Sequence, residues 1–357
     1  MKLPLKPHEI TAGWLTEALQ ERFSGTAVER LEIVDVICGT STKVRIRPDY
    51  DAAGRAAGLP PTLIVKGGFE SHSPSMQPMY LTEMRFYRDV QPWVPIPSPR
   101  CYFAGTDPDS WQSIVVMEDL AARGVRFLHG QKPQTAAEVA RRLEAMARYH
   151  AATWSSPEFA PGGRFDWILG RHEGWSLVYI DRYLAPEVWQ SYMESPRGAA
   201  VSIVFHDRRW MAAALAELGS LHRRSASCLC HGDTHLGNLY VEPDGTPGFF
   251  DPQLARAPWQ FEVTYHLVAA LDILERRRHE RTLLRHYLDA LRGHGIAAPT
   301  EDEALEAYRR ELVYGLFIFL INETRFQTEA VNTAYAARFG AAALDHGVHE
   351  LIGTAQS

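Results

Sequence analysis

The stretch His231-Gly232-Asp233-Thr234-His235-Leu236-Gly237-Asn238, followed after a turn-rich segment by Phe250-Asp251, sets out two carboxylates and an amide in order. Phosphoryl transfer needs such a set: one carboxylate to receive or orient an attacking hydroxyl, and an amide plus a second carboxylate to hold the magnesium that neutralises phosphate charge. Asp233, Asn238 and Asp251 are the candidates in that order. A plainer account makes His-Gly-Asp a polar turn and Asp251 a helix cap, but the spacing of the full set favours chemistry. A second chemistry overlaps the first, because Cys228, Cys230, His231 and His235 fall within eight residues and thiolate with imidazole binds zinc. Their Cys-x-Cys-His-x3-His spacing matches neither a closed structural zinc site nor the His-Glu-x-x-His helix, so zinc is the weaker alternative.

Elements must position these groups. Asn238 to Val241, the turn Glu242-Pro243-Asp244-Gly245 and Gly248 to Asp251 read as a β-hairpin. Upstream, an amphipathic helix is expected around Ile10 to Phe23. Val28 to Cys38 and Thr42 to Arg47 read as strands on either side of a turn at Gly39. Pro48 to Pro61 looks like a loose connection into the strand Thr62 to Lys66, which Gly67-Gly68 ends. Met76, Tyr80, Met84 and Tyr87 recur every three to four residues, so a helix is expected over 77–90. With Arg100 to Ala104 and Ser113 to Met117, the first 118 residues read as a five-stranded sheet with one inserted helix. Beyond Leu120 the pattern turns helical, with the stripe Val139, Leu143, Met146, His150 and segments near 177–194, 203–224, 258–276, 280–293 and 301–325.

The motif is similar to the His-Gly-Asp-Leu-His-Pro-Gly-Asn of the aminoglycoside phosphotransferase-like superfamily, which includes choline kinases and ecdysteroid-kinase-like enzymes. The resemblance covers nearly the whole chain. It implies an α+β, protein-kinase-like two-lobed fold: residues 1–118 as a nucleotide-binding lobe with a five-stranded antiparallel sheet and a helix, and residues 119–357 as a mainly helical lobe for catalysis and the acceptor. It implies Asp233 as catalytic base, His235 as a contact to the γ-phosphate or a packed structural histidine, and Asn238 and Asp251 as magnesium ligands. Lys66 resembles the nucleotide lysine of the family and Glu83 its helix partner. Cys38-Gly39-Thr40-Ser41-Thr42-Lys43 resembles its Gly-x-Ser loop, with Gly39 and Ser41 over the phosphates. Val115-Val116-Met117-Glu118-Asp119-Leu120 resembles the hinge whose backbone groups near Glu118 and Leu120 would bind adenine. The sequence departs from the pattern where Pro252-Gln253 follows Asp251. It departs again at Pro258-Trp259-Gln260-Phe261-Glu262, where Glu262 stands in for a structural aspartate.

A net charge of -6 argues against a general nucleic-acid binder. Four unevenly spaced cysteines make no disulfide framework, and the chain shows neither a signal-peptide run nor a long apolar span, so a cytoplasmic protein with no membrane partner is expected. The expected activity is ATP- and magnesium-dependent transfer of the γ-phosphate to a hydroxylated small molecule. The aromatic-rich segment with Trp154, Phe159, Phe165, Trp167, Trp175, Tyr179, Tyr183, Trp189 and Tyr192 points to a lipophilic acceptor if some of these line the cleft. The alternatives are a choline- or aminoglycoside-type kinase acting on a cation, and a pseudokinase without turnover.

Overall fold

The computed structural model describes residues 1–353. α1 (Ala12–Gln20), capped by the Thr11 hydroxyl accepting from Trp14 N–H, packs on a sheet built from β1 (Val28–Ile37), β2 (Thr42–Tyr50), β3 (Leu63–Gly67), β4 (Cys101–Thr106) and β5 (Ser113–Glu118). The sheet is five-stranded and antiparallel throughout, as expected, and its strand order is β1-β2-β3-β5-β4. Alternate residues of β2 and β3 (Val44, Ile46, Leu63, Val65) bury against Leu15 and Leu19 of α1. Pro48 lies inside β2, but beyond Ile46, the last residue that β3 pairs, so its missing N–H breaks no inner ladder. The connection after β2 is not entirely loose: Asp51 accepts from Gly54 N–H and starts α2 (Ala52–Ala56). α3 (Gln77–Arg85) runs into a wider turn at Phe86–Val90, closed by Gln91 N–H donating to Phe86 O.

The remainder is mainly helical. β6 (Arg126–Phe127) precedes α4 (Ala136–Ala152), which opens on a reciprocal cap between Thr135 and Glu138. The single helix expected over 177–194 is two, α5 (Trp175–Tyr183) and α6 (Pro186–Met193), because Pro186 cannot extend a helix that already has α5 behind it. α7 (Pro196–Ala199) follows. α8 (Arg208–Arg224) starts later than expected, at the Asp207 cap. β7 (Cys228–Cys230), β8 (Leu239–Val241), β9 (Pro247–Phe249) and β10 (Ala255–Ala257) surround the motif. β8 and β9 form the expected hairpin with β6 added at its edge, while β7 pairs with β10. α9 (Trp259–Ala270) is buried on every side, and α10 (Ile273–Gly293) restarts at an Asp272 cap, which moves the expected break upstream. α11 (Glu301–Ile321) is as foreseen, but α12 (Glu329–Asp345) and α13 (Val348–Gly353) are additions to the expected elements. No helix among the described residues is long and apolar enough to cross a membrane.

Candidate active site

Gly232 fixes the geometry of the motif. Its φ is +86°, and a Cβ there would collide with Gln253 O, so only glycine allows the turn that presents Asp233. Two buried acid and base groups hold the turn from beneath. The Glu262 carboxylate accepts from Gly232 N–H (2.8 Å), from Tyr149 OH (2.5 Å) and from the His150 ring (2.9 Å). Glu262 is thus a buried acid that props the turn from below. His231 is buried, which lowers its affinity for a proton despite Glu262 and Asp233 nearby, and its Nε2–H donates to Phe250 O at 3.0 Å. That bond ties the motif to the strand leading to Asp251.

Both oxygens of Asp233 are engaged. Tyr265 OH donates to Oδ1 at 3.0 Å, and Asn238 Nδ2 donates to Oδ2 at 2.9 Å and to Asp233 O at 3.0 Å. Burial, with Asp233 adding to it, pushes the Tyr265 phenol well above its ordinary range, so it stays a donor. Because Asn238 spends its amide nitrogen on Asp233, its amide oxygen is left for another partner. His235 Nδ1 accepts from Gly237 N–H (2.9 Å), and Nε2 lies 2.8 Å from the Gln327 amide and 3.6 Å from Asp233 Oδ2. Its ring packs on Tyr335 and Phe319. We expect Tyr265→Phe to lower kcat roughly 5- to 30-fold by removing one hydrogen bond to a charged group. KM for ATP should hold, and steady-state kinetics with an unchanged kcat would remove Tyr265 from this role.

Asp251 sits in a left-handed conformation, φ +56°, uncommon for a residue other than glycine and the kind of outlier found at functional sites. Pro252 follows it, and Gln253 N–H donates to His231 O at 2.9 Å, so the segment is anchored on both sides. Its carboxylate meets Lys66 Nζ directly, and Lys66 also pairs with Glu83 at 2.7 Å. Lys43 stands opposite Lys66 in the β2–β3 register and reaches Asp251 at 3.9 Å. Burial pushes the Asp251 carboxyl up, but Lys66 and Lys43 outweigh it and hold the group at about 2. Burial also works against the Lys66 charge, and Asp251 with Glu83 more than restores it. Glu83 is the group that stays raised, because burial exceeds the help Lys66 gives it.

The sign of the Asp251 shift sets a pH dependence. Its folded value lies below the ordinary 3.8, so its contribution to stability is full above that value and fades as pH falls toward about 2. Unfolding free energies across that range should rise with pH in the wild type and rise less in Asp251→Asn. Equal slopes for the two proteins would contradict the arrangement.

These groups face one cleft of about 790 Å³. Gly39, Ser41, Lys43, Lys66 and Glu83 line one wall, and Asp233, His235, Asn238 and Asp251 the other. Tyr80 OH donates to Thr40 O and ties the Gly39–Ser41 loop to α3. Glu118 and Leu120 do not line the cleft. The Glu118 side chain accepts from Arg100 N–H (3.2 Å) and pairs with Arg123 (2.7 Å), and its N–H donates to Arg100 O. The zinc alternative is also separated: His231 and His235 turn to the partners given above, while the Cys228 and Cys230 sulfurs, 4.0 Å apart, gather with His150 in the core. Both His150 nitrogens are engaged there, by Tyr287 OH and Glu262.

The sequence pattern missed Tyr265, Gln327 and Arg171. Arg171 donates to Gly232 O at 3.0 Å and to Gln253 O. Each lies outside the motif, and no local spacing marks it. Of the aromatic segment, Tyr179 and Tyr183 line the cleft, whereas Phe159, Phe165 and Trp189 are core. The Trp175 side chain lies outside what the structure describes.

The family model of the phosphotransferase enzyme family matches residues 56–295. The chain belongs to that family. Among solved structures, the phosphotransferase fold of this chain is similar to an ethanolamine kinase of Plasmodium vivax, with 10% identity, TM-score 0.52, and coverage of 87% of this chain and 81% of that one. It is also similar to a spectinomycin phosphotransferase in complex with ADP and spectinomycin, with 12% identity, TM-score 0.51, and coverage of 95% and 99%. No protein of curated function matches the chain. The family membership and the two-lobed kinase-like fold agree with the sequence expectation of a small-molecule phosphotransferase.

Proposed function

We propose that this phosphotransferase moves the γ-phosphate of ATP, with magnesium, to a hydroxyl of a small lipophilic molecule in the cytoplasm. The observation that carries the reading is the convergence of Asp233, Asn238, Asp251 and the Lys66–Glu83 pair on one cleft. We assign residues 1–118 to the nucleotide and residues 119–357 to catalysis and the acceptor.

Asp233, aligned by Tyr265 and Asn238, orients the acceptor hydroxyl and takes its proton as the new O–P bond forms and the β–γ bridging bond breaks. Lys66, held by Glu83, draws the α and β phosphates, while the Ser41 hydroxyl and the Gly39–Ser41 backbone cover them. The Asn238 amide oxygen and the Asp251 carboxylate are hard oxygen donors that suit Mg²⁺ and would hold it. Bound there, the ion would offset the charge of the phosphates. His235 stands beside Asp233, close enough to meet the transferred group. Positioning and charge do the catalysis, and no residue forms a covalent intermediate.

The lining of the cleft supports a lipophilic acceptor. Among the described residues the acids of its lining are Glu83, Asp233 and Asp251, all in the catalytic constellation, and Tyr179, Tyr314 and Ile318 line it as well, with Arg182 and Arg325, which pair with Glu323. Beyond the catalytic acids, a polycationic aminoglycoside would meet Glu323 already engaged by Arg182, Arg325 and Tyr183. The tyrosines could hold a choline-like cation by cation-π contact, beside the paired Arg182 and Arg325. Screening hydroxylated compounds with ATP and reading phosphorylated product by mass spectrometry tests the reading. Transfer confined to cationic acceptors would overturn the lipophilic assignment.

A further inference from the structure

A second cavity of about 480 Å³ lies on the far side of the catalytic turn, and the proposed activity makes no use of it. Its lining joins the segment after α4 to the end of α8: Ser155, Arg171, His172, Arg223, Ser227 and Arg256 are among its residues. The charge is unbalanced. Among the described residues Glu173 is the one acid in the lining, and Arg256 already pairs with it at 3.0 Å, while Glu311, outside the lining, is taken by His222 at 2.8 Å. Arg223 has only the Ser220 hydroxyl at 3.0 Å, and Arg171 donates to main-chain carbonyls, so neither guanidinium faces a carboxylate. Two buried donors or acceptors here have no protein partner, Arg171 Nε and His172 Nε2, and His172 is only 7% exposed. Buried polar atoms are rarely left so without a ligand or a water to meet them.

Two further observations point the same way. Ser155 has φ +48°, an outlier for serine, and its N–H donates to Ser227 O at 2.7 Å, which holds the two hydroxyl-bearing residues on one rim. His172 is held to about 3 by burial and then by His222, Arg223 and Arg171, a record of positive charge converging on the cavity. A negative group placed among them would offset that field.

We propose that this cavity binds a small molecule bearing an oxyanion, carboxylate or phosphate, between His172, Arg171 and Arg223. We further propose that Arg171 carries its occupancy to the active site, since the same side chain lines both cavities and donates to Gly232 O and Gln253 O. Those carbonyls flank Asp233 and Asp251. An anion drawing on Arg171 would therefore shift the turn that presents the catalytic carboxylate.

The test uses Arg223→Glu, which alters an exposed residue away from the main cleft. Calorimetry should show inorganic phosphate, citrate or both binding the wild type at a site weakened at least tenfold in the variant, and the probe that responds names the source of the oxyanion. Binding at the nucleotide cleft is common to both proteins, so the difference isolates this cavity. Crystals soaked in selenate should show anomalous density beside His172 and Arg223, with none there in the variant. The responding anion should also change kcat or acceptor KM at least twofold in the wild type and leave the variant unmoved. Equal affinities in the two proteins, or selenate density confined to the main cleft, would overturn the site. Binding without any kinetic effect would overturn the Arg171 link.

Discussion

Asp233→Asn should lower kcat by about 10²- to 10⁴-fold, the range expected when a positioned base is lost. The substitution keeps the size of the side chain but takes away its charge and its ability to accept the hydroxyl proton. It also sets a new amide nitrogen against either Tyr265 OH or Asn238 Nδ2, both of which donate to the native carboxylate. Nucleotide affinity should change little, because Lys66, Glu83 and the Gly39–Ser41 loop lie on the opposite wall. Single-turnover kinetics with ATP and a phosphorylatable acceptor give the number. Turnover within a few-fold of wild type would take the base assignment away from Asp233.

Lys66→Ala is expected to damage stability and activity through different routes. Lys66 and Glu83 are nearly inaccessible, at 4% and 6% exposure, so removing the ammonium leaves Glu83 buried without its partner and Asp251 with Lys43 at 3.9 Å. Breaking such a pair costs about 3–5 kcal/mol, visible as a lower midpoint in denaturant. The double variant Lys66→Met/Glu83→Leu fills the same space without charge and should recover the part of that loss due to Glu83, since apolar replacements of buried pairs are often neutral or stabilising, while Asp251 keeps Lys43 as its cation. It should not recover turnover, because nothing then draws the phosphates. A double variant as active as wild type would reduce the Lys66–Glu83 pair to a structural role.

The proposed catalytic groups were legible because the chemistry is compact in sequence. His231 to Asn238 is one contiguous turn, and Asp251 is returned to it by a hairpin whose Pro-Asp-Gly turn is a local signal. The five strands were legible through β-branched runs and their flanking glycines. What escaped depends on long-range packing. Tyr265 reaches Asp233 from the middle of a helix buried on all sides, so its spacing carries no amphipathic mark. Gln327 reaches His235 from ninety-two residues away. Three-residue strands such as β7 and β10 are too short for alternation to show, and exist because each supplies the other with hydrogen bonds. The helix breaks at Pro186 and Asp272 follow local rules, proline exclusion and side-chain capping, that a periodic apolar pattern overrides when read alone. α12 carries Val331, Tyr335 and Phe339 at four-residue spacing, and only its packing against α11 shows that these make a wall of the core.

The most direct test of the central claim is transfer itself. The purified protein is incubated with magnesium, ATP labelled in its γ-phosphate and matched sets of lipophilic alcohols, choline-like cations and aminoglycosides, and label is followed into each acceptor. Label should enter a lipophilic hydroxyl compound, depend on magnesium, and enter at least about a hundredfold more slowly with Asp233→Asn. Label in no acceptor, or transfer by Asp233→Asn within a few-fold of the wild-type rate, would contradict the central claim.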